Sequence, residues 1–446
     1  MLILMNKYLS FFHYTKRYLT FVLKEVVKIM IRQEEIALVI DSQRDSFLKQ
    51  DVGFIRESLA HIPVADSFAT IITGIRRCGK STLLLQLLRR DYQEAIYLNF
   101  DDIRLSGFEI TDFTRLHNEI EERNIKVLFF DEIQAVEGWE KYVNQLLRDK
   151  YRVFITGSNA SMLSVELGTL LTGRHLSMEL FPFSYSEYIK FKNLQNNEDA
   201  IVQYLKTGGI PEYVKTGMPV ILNTLVDDII MRDIAIRHSV RDVSSLRQLT
   251  AFLITNIGNL ISANKLVGMF DIKSAATFLE YFSFLKDAYL IDLMPRFSHS
   301  LKVQARNPKK VYVMDMGLYT ENSISTSENM GRRFENLIYL HLRRTHKQIF
   351  YYKDRGECDF ITMEKSTIKE AVQACFTIND DNFQREFNGL LEAMQNLNLN
   401  QGTIVTLNQR DSFEKDGKII NIVPAEEYFS TSSSSYSSPP LRSPHQ

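Results

Sequence analysis

Three cysteines in 446 residues, Cys78, Cys358 and Cys375, are too few and too scattered for a disulfide framework or a four-ligand zinc site. They read as reduced thiols of a cytosolic, and so cytoplasmic, protein. No apolar run reaches the roughly 18 residues that a transmembrane helix needs, so no membrane partner is expected. The formal net charge is −1, so no global positive field advertises nucleic acid or an anionic lipid surface, although a local basic patch is compatible with that balance. The N-terminal stretch also lacks the unbroken apolar core and small-residue cleavage site of a signal peptide, because Lys7, His13, Lys16, Arg17, Lys24 and Lys28 interrupt it. A basic amphipathic helix at a membrane surface and a partner helix both fit residues 1–30. An over-long start fits better, since Met30-Ile-Arg-Gln-Glu-Glu resembles the natural beginning of a soluble protein.

What is present points to an α/β chain of several units. The apolar fraction of 45% is enough for ordinary buried cores, and the length corresponds to about three domains at roughly 100–200 residues each. A helical, polar lead-in runs from Met30 to Ser67. Phe68-Ala-Thr-Ile-Ile-Thr then forms a short β-branched run that stops at Gly74, the signature of a buried parallel strand. Ser81 to Arg90 carries leucines at helical spacing. Further strands are predicted at Ala95–Phe100, Val127–Phe130 and Arg152–Gly157, with helices over Asp112–Glu122 and Trp139–Arg148 between them. That alternation predicts a mainly parallel sheet within residues 31–195.

After Pro182 the pattern changes. Ser184–Lys192 and Asp199–Lys206 read as helices, Gly208-Gly-Ile-Pro breaks the chain, and residues 220 to 290 read as helical with starts at Ser262 and Asp271. Tyr289–Met294 and Lys310–Asp315 read as two strands around a basic turn, so residues 196–325 fit a mostly helical, winged-helix-like unit. A third, α/β unit covers 326–428: a helix at 332–344, strands near 348–352, 357–363 and 369–376, a helix near 384–397 and a strand at 402–406. The Ser/Pro-rich tail, 429–446, cannot bury a core and is expected to be disordered.

The chemistry concentrates in the first unit. Gly74, Ile75, Arg76, Arg77, Cys78, Gly79, Lys80 and Ser81 match G-x-x-x-x-G-K-[ST] in full, and Thr82 continues the turn into the helix. Such a loop lacks bulky side chains at its turning points, so backbone N–H groups can wrap phosphate oxygens, and the following helix adds the positive end of its dipole. Lys80 is placed for the β- and γ-phosphates of ATP and Ser81 for Mg²⁺. The run Val127-Leu-Phe-Phe ends in Asp131, suited to the Mg²⁺ shell, and Glu132, suited to orienting and deprotonating a water. After the next strand, Ser158 and Asn159 compete for a contact to the γ-phosphate or that water, and an ordinary turn is the alternative. Arg174, on a Leu-Leu-Thr-Gly turn, is the candidate for stabilising transition-state charge, in cis or from a neighbouring subunit; the second case requires self-association.

Taken together, these motifs resemble the bacterial and archaeal P-loop ATPases of the AAA-like superfamily whose C-terminal half is a domain of unknown function. The match rests on residues 74–81, Asn99-Phe-Asp-Asp102, Phe130-Asp-Glu-Ile-Gln134, Thr156-Gly-Ser-Asn159, Leu171-Thr-Gly-Arg174, Leu180-Phe-Pro-Phe-Ser-Tyr185 and Gly208-Gly-Ile-Pro-Glu212, and spans about Ile31 to Tyr428. The resemblance implies a winged-helix segment and a C-terminal fold like restriction-endonuclease-type nucleases. Carried over residue by residue, Glu335 and Asp359 fit two acids of such a nuclease. Gln373 and Cys375 stand where its glutamate and lysine belong, so an inactive third domain is expected. The functional expectation is ATP hydrolysis moving the C-terminal units. The alternatives are a nucleotide-switched nucleic-acid binder, motivated by Lys309-Lys310, Arg332-Arg333 and Arg343-Arg344, and a scaffold that binds nucleotide with little turnover. The sequence names no protein partner.

Overall fold

The structure, a computed structural model, describes residues 31–163, 171, 173–324 and 329–430. The N-terminal extension, most of the segment before Gly173 and nearly all of the Ser/Pro tail lie outside the described residues. Helix α1 (Gln33–Lys49) leads in, followed by β1 (Ala69–Thr73), α2 (Lys80–Asp91), β2 (Ile96–Asn99), α3 (Asp112–Glu122), β3 (Val127–Asp131), α4 (Trp139–Arg148), β4 (Arg152–Gly157) and β5 (His175–Glu179). The five strands form one sheet in the order β2-β3-β4-β1-β5, and every neighbouring pair is parallel. Helices cover both faces, which is why the central strands are apolar throughout rather than alternating. Ile36, Val39 and Ile40 of α1 pack with Ile71, Leu98 and Phe130 on one face, while Leu84, Leu87, Phe129 and Phe154 pack on the other. Phe129, Phe130 and Phe154 are completely enclosed, each contributing about 1.5–3 kcal/mol by leaving water.

The order places β4 between β1 and β3. The C-terminal ends of these three strands therefore lie side by side, with Thr156–Ser158 between the loop after β1 and the acids after β3. β5 was not anticipated: it is half-exposed along its length and carries no apolar run.

Helix α5 (Tyr185–Lys192) ends the first unit, and the second begins with α6 (Glu198–Thr207) and α7 (Pro219–Asp228), which runs on into a π-helical stretch, Ile229–Ile236. Next come α8 (Val243–Thr255), β6 (Leu260–Ile261), α9 (Ala263–Leu266), α10 (Ala275–Asp287), β7 (Ile291–Met294) and β8 (Lys309–Val313). The expected pair of strands is in fact a three-stranded antiparallel sheet, β6-β8-β7; the two-residue β6 is too short to show a period in sequence. Ser262 does precede a helix, but Asp271 does not start one. Phe270 and Asp271 both take positive φ, 54° and 58°, so the chain turns there. The helix is instead capped by Ser274, whose hydroxyl accepts the Thr277 N–H at 3.1 Å.

Helix α11 (Met316–Asn322) closes the second unit, and the third comprises α12 (Met330–Thr345), β9 (Gln348–Lys353), β10 (Glu357–Glu364), β11 (Thr367–Ala374), α13 (Asp380–Asn396), β12 (Gln401–Thr406), β13 (Asp411–Lys415) and β14 (Lys418–Pro424). Its six-stranded sheet runs β13-β14-β12-β11-β10-β9, with β11-β12-β14 parallel and the outer pairs antiparallel. Strands β13 and β14 extend the sheet beyond the elements read from sequence. The structure also redirects most of the basic residues that motivated a nucleic-acid partner. Lys310 is buried, Arg333 donates to the Thr320 hydroxyl, Arg343 to Glu179, and Arg344 to the carbonyls of Pro182 and Phe183. Arg343 and Arg344 thereby tie the third unit to the first.

Candidate nucleotide site

The loop between β1 and α2 is shaped by close approach. Gly74 has φ 152°, and a Cβ there would meet the Leu180 carbonyl oxygen at 2.1 Å, so no side chain fits. Gly79, at φ 100°, turns the chain into α2 without capping it, and the first N–H groups of that helix receive no side-chain cap. The base of the loop is clamped from below by Arg56. Its guanidinium donates to Glu187 at 2.8 and 3.0 Å, to the Phe181 carbonyl at 2.8 Å and to the Cys78 carbonyl at 2.8 Å. Arg56 and Glu187 are both buried, so the pair is a bidentate, fully desolvated anchor. Cys78 is enclosed with its thiol on the Leu180 carbonyl, and burial pushes that thiol upward, away from reactivity. Ile75 is buried, Ser81 is exposed at the helix start and Thr82 is half-buried behind it. The buried Lys80 lays its ammonium on the carbonyls of Gly74 at 2.9 Å and Ile75 at 3.1 Å.

At the end of β3, Asp131 is held from two sides. Tyr97 donates to one carboxylate oxygen at 2.8 Å, and Thr156, from β4, donates to the other. Glu132 follows with φ 54°, an uncommon conformation for any residue but glycine, and such strain concentrates where a side chain must be aimed. Gln134 donates to its carboxylate and the Ser158 hydroxyl lies 3.4 Å away. Burial raises the Glu132 carboxyl, the Lys80 ammonium pulls it back down and the Asp131 charge raises it again. A carboxylate held somewhat above its ordinary range is suited to accepting a proton near neutrality.

Arg76 and Arg77, the variable residues of the loop, point out of the sheet domain. Arg76 forms a bidentate pair with Asp233 at 2.9 and 3.1 Å, and Arg77 reaches Asp228 at 3.2 Å. Asp228 ends α7 and Asp233 lies within the π-helical stretch, a form that recurs at functional positions. Asp233 is buried and its other neighbour is Ser158, at 3.5 Å. One acid therefore touches both the phosphate-type loop and the end of β4. Asp233→Ala should lower stability by about 1.5–3 kcal/mol, the worth of hydrogen bonds to a charged group, read as a lower denaturant midpoint. An unchanged midpoint would mean the pair is idle.

The remaining predicted residues separate. Asn159 is buried and its side-chain oxygen accepts the Ser161 N–H at 2.7 Å, the geometry of a local turn, whereas Ser158 faces Glu132. Arg174 lies at the opposite end of the sheet. It precedes β5, whose His175 is in register with Ala69 and whose Glu179 is in register with Thr73. About 16 Å of strand, at roughly 3.3 Å per residue, therefore separates it from the loop after β1, so it does not serve the nucleotide site of its own chain.

Arg56, Glu187 and Asp233 were not read as site residues. Glu187 was findable, because Ser184-x-x-Glu187 is a capping-box pattern and both of its reciprocal bonds form. Asp233 carries a weaker signal, a lone acid inside an otherwise apolar run. Arg56, in a polar lead-in, carries none.

Residues 66–189 match the AAA domain family, and residues 198–327 match a family described as a domain of unknown function. An uncharacterized protein of Methanocaldococcus jannaschii is 34% identical over 389 residues, covering 79% of this chain and 86% of that protein. An uncharacterized protein of Haemophilus influenzae is 31% identical over 343 residues, covering 72% of this chain and 85% of that one. Among solved structures, a signal transduction ATPase with numerous domains and a tetratricopeptide repeat sensor, from Pyrococcus horikoshii, is 14% identical at a TM-score of 0.27. That match covers 68% of this chain and 47% of the other, and at that score it carries no argument.

Proposed function

The chain belongs to the AAA-domain family of these archaeal and bacterial relatives, and on that premise we propose that it is a Mg²⁺-dependent ATP hydrolase whose turnover rearranges the units after the sheet domain. The observation that carries this reading is the convergence of the Gly74–Thr82 loop, Asp131 and Glu132 at the C-terminal ends of β1 and β3, on either side of β4. In this reading, uncapped N–H groups of the loop and α2 receive the phosphates, and Lys80 exchanges its carbonyl partners for β- and γ-phosphate oxygens. Ser81 and Asp131 offer the oxygen donors that Mg²⁺ prefers, and would hold the ion where it neutralises phosphate charge. Glu132 takes the proton of the attacking water, with Ser158 and Gln134 fixing its carboxylate. Asn159 acts as a turn former that supports this end of β4. Arg174 is left to the site of a second copy, a role that requires self-association.

The route from phosphate to motion runs through Arg76 and Arg77. A phosphate arriving at the loop competes for guanidinium groups otherwise spent on Asp233 and Asp228, and so loosens or shifts the helical unit. We read the boundaries as 31–195, 196–325 and 326–428. The order helix–strand–helix–helix–strand–strand over 243–313, with a short helix, Leu301–Arg306, in the connection between the last two strands, supports a winged helix. The order helix, three strands, helix, strand over 330–406 supports a restriction-endonuclease-like fold. Nuclease activity is not expected. The Lys310 ammonium lies among Glu335, Glu357 and Asp359, at 3.0, 3.1 and 2.8 Å, where a cation would otherwise be needed. Gln373 accepts the Asp359 N–H at 3.0 Å, and Cys375 turns away to the Thr377 carbonyl.

The test is phosphate release from the purified full chain with ATP, with and without Mg²⁺. Lys80→Ala should lower turnover by about 10²–10³-fold, the cost of deleting one donor to developing charge. Turnover that is absent in the unaltered chain, or indifferent to Lys80, would overturn the hydrolase assignment.

A further inference from the structure

The second unit carries a cavity that the nucleotide site does not use. It has a volume of 610 Å³ and lies between α9, α10 and the segment joining β7 to β8. Its size is that of a pocket for an organic ligand, roughly 300–1,000 Å³. Lys286, Arg306 and Lys309 line it, and no aspartate or glutamate does. Lys286 is balanced from behind by the buried Asp292 at 3.1 Å. Arg306 and Lys309 have no ion-pair partner among the described residues. Lys309 is half-buried, and burial and then the neighbouring Lys286 charge push its ammonium below the ordinary lysine range. A cation held in that way gains from an incoming anion, which restores the solvation that the fold removed. The lining also holds apolar side chains: Leu279 is 59% exposed, and Phe282, one helical turn away, is buried with its edge in the lining. Cationic side chains beside apolar, partly aromatic ones suit a ligand that alternates phosphate with a flat ring.

We propose that this cavity binds a nucleic-acid strand, with phosphates on Arg306 and Lys309 and a base against Leu279 and Phe282. The apolar side chains in the lining favour a nucleic-acid strand over an acidic peptide, because they offer a face for a base, and Asn264 beside them offers an amide for its polar edge. The site is independent of ATP turnover, so its failure leaves the hydrolase reading untouched.

The experiment is titration of a fluorescent single-stranded oligonucleotide with the full chain over a range of salt, using the unaltered protein and the double variant Arg306→Gln/Lys309→Gln. Both side chains line the cavity, and a thermal melt verifies that the variant is folded. Affinity should fall at least tenfold in the variant. The slope of log affinity against log salt should shrink by about 1.4, at roughly 0.7 for each single-strand phosphate that is no longer neutralised. A folded variant that binds with the same affinity and slope overturns the proposal, as does the absence of salt-dependent binding by the unaltered chain. Equal competition by a poly-glutamate peptide would also overturn it, by showing that the cavity takes negative charge without regard to bases. Competition by AMP but not by inorganic phosphate would support the nucleotide unit as the recognised element.

Discussion

Glu132→Gln is expected to lower ATP turnover by about 10²–10⁴-fold, the usual contribution of a positioned general base, while nucleotide remains bound. The two effects separate because Glu132 does not build the loop. The Gly74–Ser81 backbone is held by Arg56 and by the approach of Leu180, neither of which touches the Glu132 side chain. Glutamine keeps the shape and still accepts from Ser158 and Gln134, but it has no basic oxygen for the water's proton. The pH profile of the unaltered chain supplies an independent check. Burial raises the Glu132 carboxyl, so the base is lost to protonation at a higher pH than a solvent-exposed glutamate would be. The acid limb of turnover should therefore sit above the ordinary glutamate range and disappear in the glutamine variant. Steady-state phosphate release across pH, with a fluorescent-nucleotide titration beside it, decides the matter. A loss of binding equal to the loss of turnover would place Glu132 in the architecture of the loop instead.

Lys310→Ala is expected to destabilise the chain by about 3–5 kcal/mol, the cost of stranding buried charge. The ammonium is buried and serves Glu335, Asp359 and the partly exposed Glu357. Without it, Glu335 and Asp359 face each other with only the Tyr312 hydroxyl and backbone N–H groups as donors. The sign of the pH dependence follows from Glu335, which burial and then the Asp359 charge push up to about 7. The folded chain holds a proton that the unfolded chain releases near the ordinary glutamate value, so this carboxyl's share of stability falls as pH rises from that value to about 7. Lys310 pulls the carboxyl down, so its removal widens the window, and the deficit of the variant should grow with pH past neutrality. Denaturant midpoints across pH measure this. A deficit that shrinks with rising pH would refute the account.

The parts of the fold that could be read in advance are those where local chemistry and tertiary role coincide. β1, β3 and β4 are buried on both faces, so their apolar runs announce them, and the loop after β1 needs its glycines for reasons visible in the motif itself. β5 and β6 could not be read, one because it is half-exposed and the other because two residues carry no period. The roles of Asp131 and Glu132 were proposed from their place after an apolar run. The partners that hold them, Tyr97 and Thr156, come from different strands and depend on the strand order, which no local pattern encodes. Lys310 shows the same limit more sharply. The cation that balances Glu335 and Asp359 comes from β8, and nothing local to either acid announces it.

Synthesis of the chain meets a delay at the edge of the first sheet. Arg343 grips Glu179 at 2.7 and 2.9 Å across 164 residues of sequence, and Glu179 shares the Tyr289 hydroxyl with Thr73, the last residue before the nucleotide loop. On a ribosome adding about 5–20 residues per second, Glu179 waits roughly 8–30 s for its guanidinium. Through that interval the strand beside the nucleotide loop carries an unanswered carboxylate. The edge strand of the first sheet is thus pinned by a helix that emerges long after it.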